Sequence, residues 1–203
     1  MPTQAERTAS TRSKILDAAR SSFVSRGYDG TTIADVLDAA AVSKGALYHH
    51  FESKQAIAEA IFSDTSRHAI TAASRRARDV SDPVETLVQG CLLWLEEVSE
   101  PSVAVVMFDI GPTALGWERC RQIEAANSIR ALRLGIARAV EAGAFAAARA
   151  DLAAHTINAV LGELAWLSVR SDGADVDDVA TTAVVRAMIH ALAQIDRPAD
   201  LRT

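Results

Sequence analysis

The sequence predicts an all-α protein, and three observations support this class. The 203 residues include only 10 Gly and 5 Pro, long stretches contain no helix breaker, and apolar residues recur at helical spacing. No alternating run rich in β-branched residues lasts long enough to indicate a sheet. The length suffices for one large domain or two small ones with a well-filled core.

Apolar periodicity, capping residues and breakers divide the chain into about nine predicted helices. The first 8–10 residues are polar, and we expect them to be flexible. A helical stripe from Ile15 to Phe23 ends at Gly27, and Ser43 can cap a short helix. We expect the pair Gly111 and Pro112 to stop the sixth helix. The predicted segments are 11–26, 33–39, 43–49, 52–78, 84–98, 102–109, 114–142, 149–170 and 176–195.

The charge is unevenly distributed along the chain. The net charge is -5, but residues 1–54 contain seven Lys or Arg and six Asp or Glu, which leaves 14 and 20 in the rest. A nearly neutral head on an acidic body is compatible with DNA binding if the basic groups share one face. A chance fluctuation in an ordinary soluble protein would give the same count.

Cysteine usage and hydropathy predict a cytoplasmic protein. The two cysteines, Cys91 and Cys120, are too few and too far apart to indicate a disulfide scaffold. The polar N-terminus has no apolar segment of a signal peptide, and no apolar run approaches the ~20 residues that span a bilayer. We therefore expect no membrane association.

Residues 31–54 contain the most informative pattern. Two short predicted helices are joined by a tight turn of small residues at 39–42, which is the spacing of a helix-turn-helix. The second helix can bury Val42, Ala46, Leu47 and Phe51. Its other side chains form a polar outward surface that can contact phosphates and base edges of DNA: Ser43, Lys44, Gly45, Tyr48 and His49.

Two residues in this pattern have further physical reasons for such a role. A glycine inside a helix, such as Gly45, lowers helix stability by about 1 kcal/mol relative to alanine. Close approach of the helix backbone to the duplex would compensate for this loss. Lys54 is placed at the start of the next helix to reach another phosphate.

These residues resemble the N-terminal domain of the tetracycline-repressor-like (TetR) family. The runs 27–36 and 40–54 carry the resemblance, which extends over about residues 11–60. The family pattern Tyr-x-x-Phe-x-x-Lys is present as Tyr48, Phe51 and Lys54. A helix-turn-helix shape alone would be weak support, because small helical pairs are common in all-α cores.

The resemblance implies a fold, a domain organisation and a set of contacts. It implies a three-helix DNA-binding domain at residues 1–54, a six-helix ligand-binding and dimerisation domain at residues 55–203, and a homodimer on a palindromic double-stranded DNA operator. By resemblance, the DNA-contact positions are Thr31, Thr32, Ser43, Lys44, Gly45, Tyr48, His49 and Lys54. The core positions are Phe23, Ile33, Val36, Leu47 and Phe51.

The C-terminal domain is expected to hold a small-molecule effector. A cavity between helices, walled by aromatic side chains with a few polar groups, is the usual form of such a site. The candidate ligand-binding residues are Trp94, Met107, Phe108, Trp117, Arg121, Asn158 and Trp166. Filling of the core or of a dimer seam is an equally good explanation for any single Trp. The side chains favour an apolar or aromatic effector.

The last two predicted helices are suited to self-association. They carry small and apolar residues at helical spacing, which permit close helix approach in an isologous four-helix interface. The candidate interface residues are Ala159, Gly162, Val176, Val179, Ala180, Ala183, Ala187 and Ala191. Packing of the same stripe within one subunit is the alternative.

The sequence contains no pattern typical of an enzyme, a metal site or a cofactor site. The five His residues are adjacent or isolated, and there is no Gly-rich phosphate loop. The favoured hypothesis is a ligand-responsive repressor. A helical small-molecule-binding protein or enzyme without operator function is the first alternative, and a dimeric interaction module is the second.

Overall fold

The computed structural model describes residues 3–170 and 178–194. Within these residues the protein consists of helices without a strand, which confirms the predicted all-α class. The nine helices of this part of the chain are α1 (Gln4–Arg26), α2 (Ile33–Ala40), α3 (Lys44–His50), α4 (Lys54–Arg76), α5 (Pro83–Ser99), α6 (Pro101–Leu115), α7 (Trp117–Glu141), α8 (Ala150–Arg170) and α9 (Asp178–Gln194).

The helices form two compact units. Unit 1 contains the described residues up to Ser66 together with Ser102–Ile123, and unit 2 contains Arg67–Pro101 and the described residues from Glu124 onward. Helices α4 and α7 each begin in unit 1 and end in unit 2. Unit 1 therefore includes more of the chain than the DNA-binding domain predicted at residues 1–54.

Helix α1 begins earlier than the sequence periodicity suggested. The Thr3 hydroxyl accepts a hydrogen bond from the backbone N–H of Glu6, and the Glu6 carboxylate accepts one from the backbone N–H of Thr3. This capping box satisfies two N–H groups that a helix start otherwise leaves unpaired. The helix therefore begins at Gln4, before the predicted start at residue 11.

The core of unit 1 combines the first four helices with α6. Ile15, Phe23, Val36, Leu47 and Ile57 are each at most 1% exposed and form one cluster. Apolar residues of α6, among them Val106 and Ile110, belong to the same cluster. This explains why α6 lies with the N-terminal helices rather than with the segments beside it in sequence.

Helix α6 does not stop at Gly111 and Pro112, so that prediction was wrong. The helix continues to Leu115, with a π-helical turn at Val106–Ile110. The N–H of Gly111 bonds to the carbonyl oxygen of Val106, five residues earlier. The wider turn accommodates Pro112, which has no N–H to donate.

Gly111 also has a packing role in α6. A Cβ atom at this position would lie 2.7 Å from Cε2 of the buried Phe62 ring, and nearer still to its Cδ2 atom. Only a residue without a side chain permits this close approach of helix and ring. Phe62 forms a second small cluster with Met107, Cys120 and Ile123.

Unit 2 is built from the end of α4, from α5, from the later part of α7, and from α8 and α9. Its fully buried side chains include Val88 of α5, Ile136 of α7, Ile157 of α8 and Ile189 of α9. By length and composition Ala147–Arg170, with a mean hydropathy of 1.2, is the single described helix that meets the criteria for crossing a membrane. It packs against α5 and α9.

Candidate DNA-binding surface and ligand cavity

The turn between α1 and α2 is fixed by hydrogen bonds to its backbone. Gly27 ends α1 with a φ of 75°. The Thr31 hydroxyl lies 3.1 Å from the carbonyl oxygen of Ser22 and 2.9 Å from that of Gly27. With 1% of its surface exposed, Thr31 is an interior residue that holds the end of α1 against the start of α2.

Lys54, at the start of α4, binds the same turn from the other side. Its ammonium group donates hydrogen bonds of 2.9 Å to the carbonyl oxygens of Tyr28 and Thr31. It also lies 4.1 Å from the centroid of the Tyr28 ring, within range of a cation–π interaction. The Lys54 charge is therefore used within unit 1 to join α4 to the turn before α2.

Helix α2 begins with a second capping box. Thr32 is its N-cap, and the Thr32 hydroxyl and backbone N–H both bond to the carboxylate of Asp35. Arg26 adds an ion pair of 2.9 Å to the same carboxylate. The bonds from Thr32, followed by that from Arg26, lower the pKa of Asp35 to about 2. Thr32 is exposed at the start of the helix.

The turn between α2 and α3 uses a left-handed residue. Ala41 has a φ of 52° and a ψ of 45°, and the N–H of Val42 bonds to the carbonyl oxygen of Leu37. The hydroxyl of Ser43 then caps α3 by accepting a bond from the N–H of Ala46. This turn sets the direction in which α3 leaves α2, as in a helix-turn-helix.

Helix α3 has one buried side and one exposed side. Leu47 is fully buried and Phe51, which follows the helix, is buried as well. On the other side a Cβ atom at Gly45 would meet nothing within 4 Å, and Tyr48 is 46% exposed. The Lys44 ammonium lies 6.0 Å from the centroid of the Tyr48 ring.

The structure separates the predicted DNA-contact residues into two groups. Five of them share one exposed face formed by α3 and its N-cap: Ser43, Lys44, Gly45, Tyr48 and His49. Thr32, the N-cap of α2, is exposed as well. Thr31 and Lys54 instead bind within unit 1, as described above. We call the first five residues together with Thr32 the reading surface.

Unit 2 contains a cavity of about 420 Å³ between its helices. Its walls come from the end of α4, from α5, from the later part of α7 and from α8. Five apolar side chains among its lining residues are Leu87, Cys91, Trp94, Leu132 and Leu161. The volume is in the range typical of small-molecule sites.

A few polar groups lie among the apolar walls. Ser128 hydrogen-bonds through its hydroxyl to the side-chain oxygen of Asn158, and both residues line the cavity. Trp94 is only 7% exposed, and its indole N–H has no hydrogen-bond partner among the residues that the structure describes. Burial raises the pKa of the Cys91 thiol to about 12, so this thiol stays protonated at neutral pH.

The predicted ligand-binding residues lie in several places. Of the seven, Trp94 and Asn158 line the cavity. Met107 and Phe108 belong to the Phe62 cluster of unit 1. Trp117, which is 45% exposed, and Arg121, which is exposed, are also in unit 1. Trp166 is half-buried in unit 2, where Arg170 lies 4.9 Å from its ring.

Sequence reasoning predicted Trp94 but not Leu87 and Cys91, which line the cavity from the same helix. Leu87, Cys91 and Trp94 lie on one face of α5 because they are spaced by four and three residues. That spacing was a usable signal, but it equally predicts an ordinary core face. Gly90 and Gly135 line the same cavity, where the absence of side chains leaves room.

The predicted dimer residues are mostly exposed in the single chain. Ala159 of α8 and Ala180, Ala183, Ala187 and Ala191 of α9 are exposed. Val179 is 75% exposed, Gly162 is half-buried, and Val176 lies outside the described residues. Within residues 3–170 and 178–194 there is also no group of three or more His, Cys, Asp or Glu that could hold a metal ion.

Two family sequence models match the chain. The model described as bacterial regulatory proteins, tetR family, matches residues 15–61. The model described as tetracyclin repressor-like, C-terminal domain, matches residues 84–192, more than half of the chain.

Curated proteins and solved structures agree with these matches. The transcriptional repressor KstR2 of Rhodococcus jostii is 29% identical over 164 residues, which cover 78% of each chain. A TetR-family regulator from Pectobacterium atrosepticum has a TM-score of 0.71 at 24% identity over 94% of this chain and 95% of its own. RolR in complex with resorcinol has a TM-score of 0.69 at 19% identity, over 96% and 97%. The chain belongs to the TetR family of bacterial regulatory proteins.

Proposed function

We propose that this TetR-family regulator is a homodimeric repressor that a small apolar or aromatic molecule releases from a palindromic operator. As a member of that family, the protein is a ligand-responsive DNA-binding regulator of transcription rather than an enzyme. The observation that carries the finer proposal is the pairing of an exposed polar α3 with a mostly apolar cavity in unit 2. We further propose that the protein acts in the cytoplasm, where its operator lies.

The reading surface is proposed to enter the major groove of DNA. Tyr48 and Lys44 present a hydroxyl and an ammonium group on the exposed side of α3, where they can reach phosphates and base edges. Gly45 leaves open space, so the helix backbone can approach the duplex. The buried Leu47 on the opposite side anchors the helix to unit 1.

The effector is proposed to bind in the cavity of unit 2. Leu87, Leu132 and Leu161 offer apolar surface, and the indole N–H of Trp94 offers a donor to an effector that carries a hydrogen-bond acceptor. Such an acceptor would remove the free-energy penalty of a buried, unpaired donor. RolR, which shares the fold, binds resorcinol, a small aromatic molecule.

Helix α4 is proposed to connect the two functions. Its first residue, Lys54, binds the turn before α2 in unit 1, whereas Ile70 and Ala73 near its other end line the cavity in unit 2. An effector that displaces the end of this continuous helix would change the position of the turn. The effector shifts the population from the DNA-binding conformation to the released one because it binds the released conformation more tightly.

The homodimer is proposed to form through the exposed faces of α8 and α9. Ala183 and Ala187 allow close approach of helices, and the exposed Val179 and Val184 of α9 add apolar area. A two-fold axis would place two reading surfaces on half-sites about one turn (~34 Å) apart.

The first experiment is selection of bound duplexes from a random pool by the purified protein, followed by sequencing. We expect a palindrome with two half-sites, and the double variant Lys44→Ala, Tyr48→Ala should not bind it while remaining folded. Specific binding by the double variant would refute the reading surface. If the wild type selects no motif, even after unfolding and refolding to remove bound ligand, the operator function is refuted.

A cavity-filling variant tests the effector site. Gly90→Leu should place a branched side chain in the cavity and abolish binding of the fluorescent probe anilinonaphthalene sulfonate, while operator binding persists. Gly90→Ala is the matched control, because a Cβ atom there has its nearest neighbour, the Ala77 Cβ atom, at an ordinary 3.9 Å. Equal probe binding by the wild type and Gly90→Leu would place the probe, and by inference the effector, elsewhere.

A charge in the proposed interface tests the dimer. Ala183→Arg should convert the protein to a monomer in analytical ultracentrifugation, because an unpaired charge would be buried between subunits. Ala137→Arg, an exposed alanine on α7, is the control and should leave the mass unchanged. A dimeric Ala183→Arg variant would contradict this interface.

A further inference from the structure

We propose that the first three turns of α1 form a second DNA-backbone contact, in which Arg12 is the main phosphate-binding residue. This inference rests on the proposed operator function. Residues Gln4–Lys14 are helical, but they precede residue 15, where the match to the tetR family model begins. The segment is therefore a feature of this chain that the family match does not cover.

Arg12 lies beside the DNA-reading helix. Its guanidinium carbon is 5.3 Å from the centroid of the Phe51 ring, and Phe51 is the residue that ends α3. Phe51 itself is buried, so the ring provides a fixed platform under the guanidinium. Arg12 is exposed, which leaves its N–H donors accessible on the side away from the ring.

The helical geometry of α1 explains how Arg12 reaches this position. Ile15 and Ala19, three and seven residues later, are fully buried on the face that packs into unit 1. Arg12 continues this face toward the N-terminus, past the end of the core. The Arg12 side chain therefore points toward α3, but it lies beyond the buried core of unit 1.

The local charge favours an anionic partner. Between Gln4 and Lys14 there are three basic side chains, Arg7, Arg12 and Lys14, and one acidic side chain, Glu6. The Glu6 carboxylate is already bound to the backbone N–H of Thr3, 2.6 Å away. The three cations outnumber the single carboxylate, so the segment has a net positive charge.

DNA is the occupant that the surroundings favour. Arg12 and the reading surface are connected through α3, which begins at Lys44 and has Phe51 as its C-terminal cap. A duplex that lies along α3 brings phosphates on both sides of the groove near the ends of that helix. An exposed, planar guanidinium held over a ring suits bidentate binding of a phosphate.

The salt dependence of DNA binding measures this contact directly. Each phosphate contact contributes about 0.9 to the slope of log K against log salt concentration. We expect Arg12→Met, which retains an apolar stem over Phe51, to reduce the slope by about 1.8 on the two-half-site duplex recovered from the selection experiment, because each subunit of the dimer loses one contact. The affinity at 0.1 M salt should fall about 60-fold and the difference should disappear near 1 M.

Two further variants separate charge from structure. Arg12→Lys should restore most of the slope, because it returns the charge to the same position. Arg75→Met removes an exposed basic residue of α4 in unit 2 and should leave the slope unchanged. If the wild type binds the duplex and Arg12→Met has the wild-type slope, the inference is overturned while the proposed function stands. If the wild type binds no duplex, the proposed function itself fails.

Discussion

Replacement of Lys54 by Met tests whether this residue supports the fold or contacts DNA. The Lys54 ammonium donates two hydrogen bonds of 2.9 Å to backbone carbonyls and lies 4.1 Å from the Tyr28 ring. Met retains the apolar stem but removes the charge and all donors. The variant therefore isolates the polar contacts of the side chain.

The expected loss follows from those contacts. A hydrogen bond from a charged donor contributes about 1.5–3 kcal/mol, and a partly exposed cation–π contact contributes about 0.5–1 kcal/mol. Lys54 is half-buried, so water can replace part of the two carbonyl contacts. We expect the free energy of unfolding to fall by about 2–3 kcal/mol and the midpoint temperature by about 4–12 °C.

Urea unfolding and operator binding of two variants provide the measurement. Lys54→Met should lose stability, and its salt slope for DNA binding should remain that of the wild type. Lys44→Met, on the exposed side of α3, should show the reverse, with unchanged stability and a slope reduced by about 1.8, one contact per subunit. Wild-type stability of Lys54→Met together with a reduced slope would refute the structural role and support a phosphate contact.

Four further predictions concern the fold. Gly111→Ala should destabilise the protein by about 1–3 kcal/mol in urea unfolding, because its Cβ atom would overlap the buried Phe62 ring; unchanged stability would mean that the ring moves freely. Ala41→Gly should raise stability by about 1 kcal/mol, since Ala41 has a φ of 52°, and a decrease would show that the left-handed turn is not strained. Asp35 has a folded-state pKa of about 2 against an ordinary 3.8, so its carboxylate stabilises the fold fully above pH 3.8, and this contribution is lost as the pH falls toward 2. Asp35→Asn should flatten the curve of stability against pH between these two values, and an unaltered curve would contradict the assignment. Cys91, with its pKa raised to about 12, should react with a thiol reagent at pH 8 only after unfolding, and rapid labelling of the native protein would contradict its burial.

Much of unit 1 could be predicted because its signals are local. The starts of α2 and α3 follow from Thr32 and Ser43, whose side chains cap the next turn. The stripe from Ile15 to Phe23 predicted the buried face of α1. The Thr3–Glu6 capping box was also present in the sequence, and it would have predicted the early start of α1.

Other features depend on contacts between residues that are distant in sequence. Nothing near Lys54 indicates that its charge binds carbonyls more than 20 residues earlier, so a phosphate contact was the simpler prediction. The aromatic residues of the second half were predicted to gather around one ligand. Packing instead assigns Phe108 to unit 1 and Trp94 to the cavity of unit 2, and only the tertiary fold makes that division.

The π turn of α6 has a consequence for how this sequence aligns with its relatives. A π turn holds one residue more than the α turn it replaces, so the segment Val106–Ile110 is equivalent to a single-residue insertion in a regular helix. Relatives without this turn should align with a one-residue gap there. The buried positions before and after the gap, such as Val106 and Ala114, would keep their places in the core. A deletion at the exposed Asp109 is accordingly the length change that this helix is best able to tolerate.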